Sequence, residues 1–151
     1  METSDRIEDA ITAYRRAVVA DPEHRVAWLN MGILARRLGH FEDAVVAAER
    51  ALALDGDDPI ALGLLGGALV QLDRAAEAEP AFRRAAELQP ADGPAFNNLA
   101  LALRAQGRLD DAVAAGRTAI EHGPDDAEAH VHLAELLLLD RKFEDGFREY
   151  E

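Results

Sequence analysis

Two histidines, His130 and His132, offer the first candidate chemistry, because a close pair of imidazoles is a common start to a metal site. Residues two apart on a helix point about 200° apart, so this pair cannot hold one ion. Glu128, His132 and Glu135, at spacings of four and three, do share a helical face and could ligate a metal. The other reading of that trio is a polar wall, and it is the one adopted. His24, His40 and His122 fall near helix ends, where surface and capping roles prevail. Covalent catalysis needs a nucleophile beside a base. The only serine is Ser4, the threonines are Thr3, Thr12 and Thr118, and there is no cysteine. No glycine-rich phosphate loop follows a strand. Gly63-x3-Gly67 matches a membrane-helix dimer pattern, but its apolar stretch, Ile60 to Val70, is shorter than the about 20 residues a bilayer requires. We therefore assign no catalytic residue, metal site or cofactor, and expect no enzyme.

The elements that carry these residues follow from composition. Of 151 residues, 49% are hydrophobic, mostly Ala and Leu, while aromatics make up 5%. That balance suits a folded, all-α domain. The net charge of -13 would repel a phosphate backbone, so nucleic acid is not an expected partner. The first residues, Met1 to Glu8, lack the basic start and apolar core of a secretory signal. A soluble, cytoplasmic protein without membrane contact is expected.

Aligned with itself, the chain repeats at a shift of 34. Trp28, Leu62, Phe96 and His130 fall in register, as do Met31, Leu65, Leu99 and Leu133, then Gly32, Gly66, Ala100 and Ala134. Ala10, Ala44, Ala78, Ala112 and Gly146 form another set, followed by Ala17, Ala51, Ala85 and Ala119, then Pro22, Gly56, Pro90 and Pro124. Within each unit the apolar residues recur at three and four, and a turn signal falls midway, as at Leu38-Gly39-His40 and Gln106-Gly107-Arg108. Each unit is thus two helices. The spacing predicts helices at about 6 to 20, 25 to 38, 41 to 54, 59 to 72, 75 to 88, 93 to 106, 109 to 122, 127 to 139 and 142 to 151. Asp58, Asp92 and Asp126 are placed to cap the helices they precede. Small residues such as Gly32 and Ala44 let paired helices approach, and Trp28, Leu65, Phe82 and Leu99 fill the space between units. One pair cannot bury its apolar face alone, so the units must stack.

The pattern Trp28-x2-Met31-Gly32, Ala44, Ala51, and again Leu62-x2-Leu65-Gly66-x2-Leu69, Ala78-x3-Phe82, Ala85, Pro90, resembles the tetratricopeptide repeat. The resemblance covers essentially the whole chain and implies a right-handed α-solenoid of about nine helices. It would form a single domain over 1–151, with a partial unit at 5–24, full units at 25–58, 59–92 and 93–126, and a partial unit at 127–151. Departures are Asp73 and Arg141 at the turn position of Gly39 and Gly107, Ala48 and Gly116 at the position of Phe82, and Pro80 early in a second helix. Pro80 removes one backbone hydrogen bond and is expected to bend that helix. His130 takes the place of Trp28 and reads as a packed residue. Both ends fall mid-repeat, which suggests either a piece of a longer protein or ends that pack on another copy. On the last helix Phe143, Phe147 and Tyr150 share one face.

The resemblance further implies that the first helix of each unit lines a concave, peptide-binding face. Position by position this selects Val26, Leu29, Asn30, Ile33, Arg36 and Arg37, then Gly63, Leu64, Gly67, Val70 and Gln71. It continues with Asn97, Asn98, Leu101 and Arg104, then Glu128, Val131, His132, Glu135 and Leu138. Asn30 and Asn98 stand where the family uses asparagine to hold a peptide backbone, and an amide can donate to and accept from a peptide unit. Leu64 and His132 interrupt that ladder. Arg36 and Arg104 could clamp a carboxylate through paired donors, or pair with the protein's own surface carboxylates. The expected function is a protein-interaction scaffold that binds a protein or peptide partner. One alternative is a substrate-recognition arm of a larger transferase, since the segment from Lys142 to Glu151 resembles the last repeat of bacterial tetratricopeptide proteins that continue into a glycosyltransferase-like or sulfotransferase-like domain. Another is a scaffold that self-associates through its end helices as a homo-oligomer.

Overall fold

The computed structural model describes residues 2–139, and the helix expected at 142–151, with Phe143, Phe147 and Tyr150, lies outside them. The described residues form eight helices and no strand. They are α1 (Glu2–Ala20), α2 (Arg25–Arg37), α3 (Phe41–Leu54), α4 (Pro59–Gln71), α5 (Ala75–Leu88), α6 (Gly93–Ala105), α7 (Leu109–His122) and α8 (Ala127–Leu139). The start of α1 is the largest departure from the sequence-based boundaries. Helical backbone begins at Glu2 rather than near residue 6. Among the described residues no helix is long and apolar enough to cross a membrane.

The chain divides into two compact units, 1–74 and 75–151. In the first, α2 packs against α1, α3 and α4, and α3 packs against α4. The second repeats this pattern with α5 to α8. Residues 68 apart, two repeat lengths, are therefore counterparts in the two units.

Turn chemistry explains where the first helices stop. Gly39 and Gly107 have positive φ, 79° and 75°. In each case the following amide donates to a carbonyl one turn back, His40 N–H to Ala35 O at 2.9 Å and Arg108 N–H to Leu103 O at 3.0 Å. This is the left-handed helix stop that glycine permits without steric cost. Asp73 makes the same turn at φ 58°, with Arg74 N–H donating to Leu69 O at 2.9 Å.

Two of the three expected aspartate caps form. Asp58 accepts from Ile60 and Ala61 N–H at 2.9 and 3.2 Å, and Asp126 accepts from Glu128 and Ala129 N–H at 3.0 and 3.3 Å. Asp92 sits at the N-cap of α6 without a side-chain bond. Pro94 at the second helical position removes one of the two N–H groups such a cap uses, and the other, Ala95 N–H, donates to the Asp92 backbone carbonyl at 3.2 Å. Asp58 is buried and also pairs with Arg25.

Two registers show how the units differ inside a common frame. In the first unit Leu38 packs against the cluster of Ile11, Met31 and Ala47, joined by Trp28 and Tyr14. Beside it, Ile11, Val18, Trp28, Met31 and Val46 line an apolar hollow of about 290 Å³, and Arg15 and Asp43, 3.4 Å apart, also line it. In the second unit the counterparts of Ile11 and Leu38 are Glu79 and Gln106, joined by a 2.9 Å hydrogen bond. Arg83 and Arg108 also donate to the Glu79 carboxylate, at 2.6 and 2.8 Å, and Arg108 reaches Asp111 at 2.6 Å. The sequence reading missed this network, although a glutamate at the register of Ile11, Val45 and Val113 was visible. Pro80, next to Glu79, is exposed within an uninterrupted α5.

Hydrogen bonds from Arg83, Gln106 and Arg108 outweigh burial and hold the Glu79 carboxyl at about 2, down from 4.5. A lowered folded-state pKa stabilises the fold above the unfolded value, and that contribution is lost as pH falls from 4.5 toward 2. Glu79→Gln should therefore cost about 1–3 kcal/mol at neutral pH. The gap to wild type should narrow between pH 4.5 and 2, as followed by urea denaturation. In the same assay Asp73→Gly should raise stability by about 0.5–1 kcal/mol by removing the left-handed penalty, and Gly107→Ala should lower it by a similar amount.

Candidate peptide-binding face

The residues selected for the concave face lie on α2, α4, α6 and α8, and the structure sorts them by depth. Arg36, Arg37, Glu128 and Val131 are exposed, as are Val26 and Gln71. Asn30, Ile33, Gly63, Gly67, Val70, Asn98, Leu101, Arg104, His132, Glu135 and Leu138 are half-buried. Leu29, Leu64 and Asn97 are a correction, because they are buried at 7%, 4% and 7% exposure rather than lining a groove. Each lies where α2 meets α4 or α6 meets α8, and the contact between neighbouring first helices covers it.

In the first unit Leu29 packs with Ala51 and Ala61, and Leu64 reaches to Gly32. Their counterparts in the second unit are Asn97 and His132, which are polar. His132 Nδ1–H donates to Asn97 Oδ1 at 3.1 Å, and since that oxygen can only accept, Nδ1 carries the proton. His132 is thus a structural partner of Asn97 as well as an interruption of the asparagine ladder. Glu128, His132 and Glu135 do not converge, and no group of three metal-ligating side chains occurs among the described residues.

The remaining histidines follow local geometry. His130 Nε2–H donates to Pro124 O at 2.9 Å, and Trp28 Nε1–H donates to Pro22 O at the same distance. The imidazole therefore reproduces the anchoring bond of the indole three repeats earlier. His24 caps α2 by accepting from Ala27 N–H, and His122 stacks on Phe96 with ring centroids 5.9 Å apart.

The two candidate carboxylate clamps differ. Arg104 Nη1 donates to Glu135 at 2.7 Å, so the alternative of pairing with the protein's own carboxylate holds for this residue. Arg36 crosses α4 above Gly67 and has no ion pair among the described residues. Asn30 and Asn98 make no side-chain hydrogen bond among the described residues.

Antiparallel helix pairs repeating at 34 residues, small side chains where they cross and a polar face along the first helices define a tetratricopeptide-repeat solenoid. The chain belongs to the tetratricopeptide repeat family, which it matches over residues 29–93 and 97–151. No curated protein sequence matches it. Among solved structures it is similar to a crystal structure of MamA, with 23% identity and a TM-score of 0.91, covering 99% of this chain and 87% of that one. A portion of MamA from Desulfovibrio magneticus RS-1 is similarly related, at 21% identity and a TM-score of 0.90, covering 99% and 88%. YrrB, described as a tetratricopeptide-repeat protein with an unusual peptide-binding site, has 23% identity and a TM-score of 0.82, covering 98% and 76%.

The Asn97 and His132 pair yields a direct check. His132→Ala should destabilise the chain by about 1–3 kcal/mol, because it strands a buried amide oxygen. The double variant Asn97→Leu with His132→Leu, which restores the residues of the first unit, should recover most of that loss in urea denaturation.

Proposed function

We propose that this chain is a protein-interaction scaffold whose first-helix faces bind an extended segment of a partner. The observation that carries this reading is the pair Asn30 and Asn98. They occupy one register position in the two units, half-buried at the surface, without a hydrogen-bond partner among the described residues. A half-buried amide without a protein partner keeps its donor and its acceptor available at the surface, and a peptide unit offers the matching acceptor and donor. Ile33, Val70 and Leu101 supply apolar surface on the same helices. The peptide-binding site named for YrrB, which shares this fold, agrees with the reading.

Random dodecapeptides displayed on phage and panned on the full chain provide the test. Wild type should enrich a set of sequences, and Asn30→Ala with Asn98→Ala should weaken their binding at least about tenfold at unchanged helicity. Unaltered binding by the double variant would sink the assignment of these faces.

A further inference from the structure

The apolar hollow of about 290 Å³ in the first unit lies between α1 and α3, and Trp28, Met31 and Ala35 of α2 form its floor. Ala35 is the exception at its register. Leu69, Leu103 and Leu137 hold the corresponding position in the later repeats, and all three are buried. In the second unit Leu103 thus takes the place of Ala35, while Glu79 and Gln106, joined at 2.9 Å, take the places of Ile11 and Leu38. The first unit is short of one leucine side chain at a site that the second fills from within. Its walls are also apolar at the mouth. Val19 on α1 and Val46 on α3 are 81% and 51% exposed, where the second unit has Glu87 and Ala114.

We propose that this hollow receives a leucine side chain from an amphipathic helix of a partner protein, which supplies from outside the group that Leu103 supplies from within. A free small molecule in the hollow would leave Val19 and Val46 in water. A helix carrying the leucine covers them with apolar neighbours three and four residues away, the usual way a helix seats in a groove. Charge fits the same occupant. Arg15 and Asp43 face each other across the mouth at 3.4 Å, and a pair this exposed contributes little, so it can part and turn to groups on the incoming helix. With one charge of each sign on the two walls, the matching helix carries an acidic residue toward α1 and a basic one toward α3. Trp28, Met31 and Ala35 lie on the side of α2 roughly opposite Asn30 and Ile33. The site is therefore separate from the first-helix faces and independent of the peptide-binding reading given to them.

Ala35→Leu restores the residue of the other three repeats and should fill the hollow from within, with stability equal to or above that of wild type. Val19→Asp places a charge on the rim at a residue too exposed to affect folding, and decides the matter if Ala35→Leu does not fold. Displayed random dodecapeptides panned on the full chain are rebound to both variants and to the Asn30→Ala, Asn98→Ala double variant, with helicity checked by circular dichroism. A leucine-containing set should bind wild type and the double asparagine variant alike, and Ala35→Leu and Val19→Asp at least about tenfold more weakly. Tryptophan-free synthetic copies should shift the emission of Trp28, the only tryptophan, to shorter wavelength, and lose binding when their leucine is replaced by alanine. Sequences that bind Ala35→Leu and Val19→Asp as well as wild type, and fail only on the double asparagine variant, would overturn this inference and leave the first-helix reading standing. Self-association of wild type that both hollow variants abolish in sedimentation would make a second copy the occupant and overturn the assignment to a partner. Failure of wild type to enrich any sequence would overturn both readings.

Discussion

The closeness with which successive helices cross sets the terms for everything else in this chain. At Gly32 three helices meet: an added Cβ would lie 2.7 Å from Leu64 Cδ2 on α4 and 3.0 Å from Ala47 Cβ on α3. No real methyl group tolerates both distances, so the neighbours would have to move apart. Ala44, Ala47, Ala48 and Ala51 along α3 have no exposed surface, and Ala112 and Ala119 repeat the arrangement on α7. Gly93 shows the same constraint at a helix start, since a Cβ there would come within 2.7 Å of Ala119 O, a backbone atom that cannot rotate away. Helices this near exclude water from the contact, and the large residues Leu99, Leu103, Leu133 and Leu137 then close the remaining space.

Within that frame side-chain chemistry is interchangeable to a degree that a single repeat would not reveal. The contact built from Ile11 and Leu38 in one unit is built from Glu79 and Gln106 in the other. The buried leucines Leu29 and Leu64 give way to a hydrogen bond between Asn97 and His132. A buried polar atom is costly unless paired, and in both cases the partner changed with it. Glu79 is the stricter case, because a lone carboxylate at an apolar register would be untenable without the amide of Gln106 and the guanidinium groups of Arg83 and Arg108. The substitutions occur in pairs because the backbone holds the two positions opposite each other whatever occupies them.

The same logic connects the frame to recognition. Rigid first helices fix where Asn30, Arg36, Asn98 and Arg104 stand, so the character of each face is decided by which of these groups the fold satisfies internally. Arg104 is satisfied by Glu135; Arg36 is not satisfied by any described residue. A face whose polar groups are partly answered from within is selective through those left over, and Asn30, Asn98 and Arg36 are among them.

The sequence by itself determined the helices, their ends and their pairing, because the period of three and four, the small residues and the turn glycines act locally and recur in phase. The positions of α2 to α8 follow from it within one residue, and so do the capping roles of Asp58 and Asp126. What it could not determine was which side chains of neighbouring repeats meet. A position on a first helix reads alike whether it is open to solvent or covered by the next first helix, so Leu29, Leu64 and Asn97 looked like a surface and are core. Glu79 looked like one acidic residue among many until its three partners, from its own helix, the end of α6 and the start of α7, converged on it. Those meetings depend on the depth and angle at which one helix pair rests on the next, a quantity summed over many contacts and written at no single residue, and so the tertiary structure alone decided them.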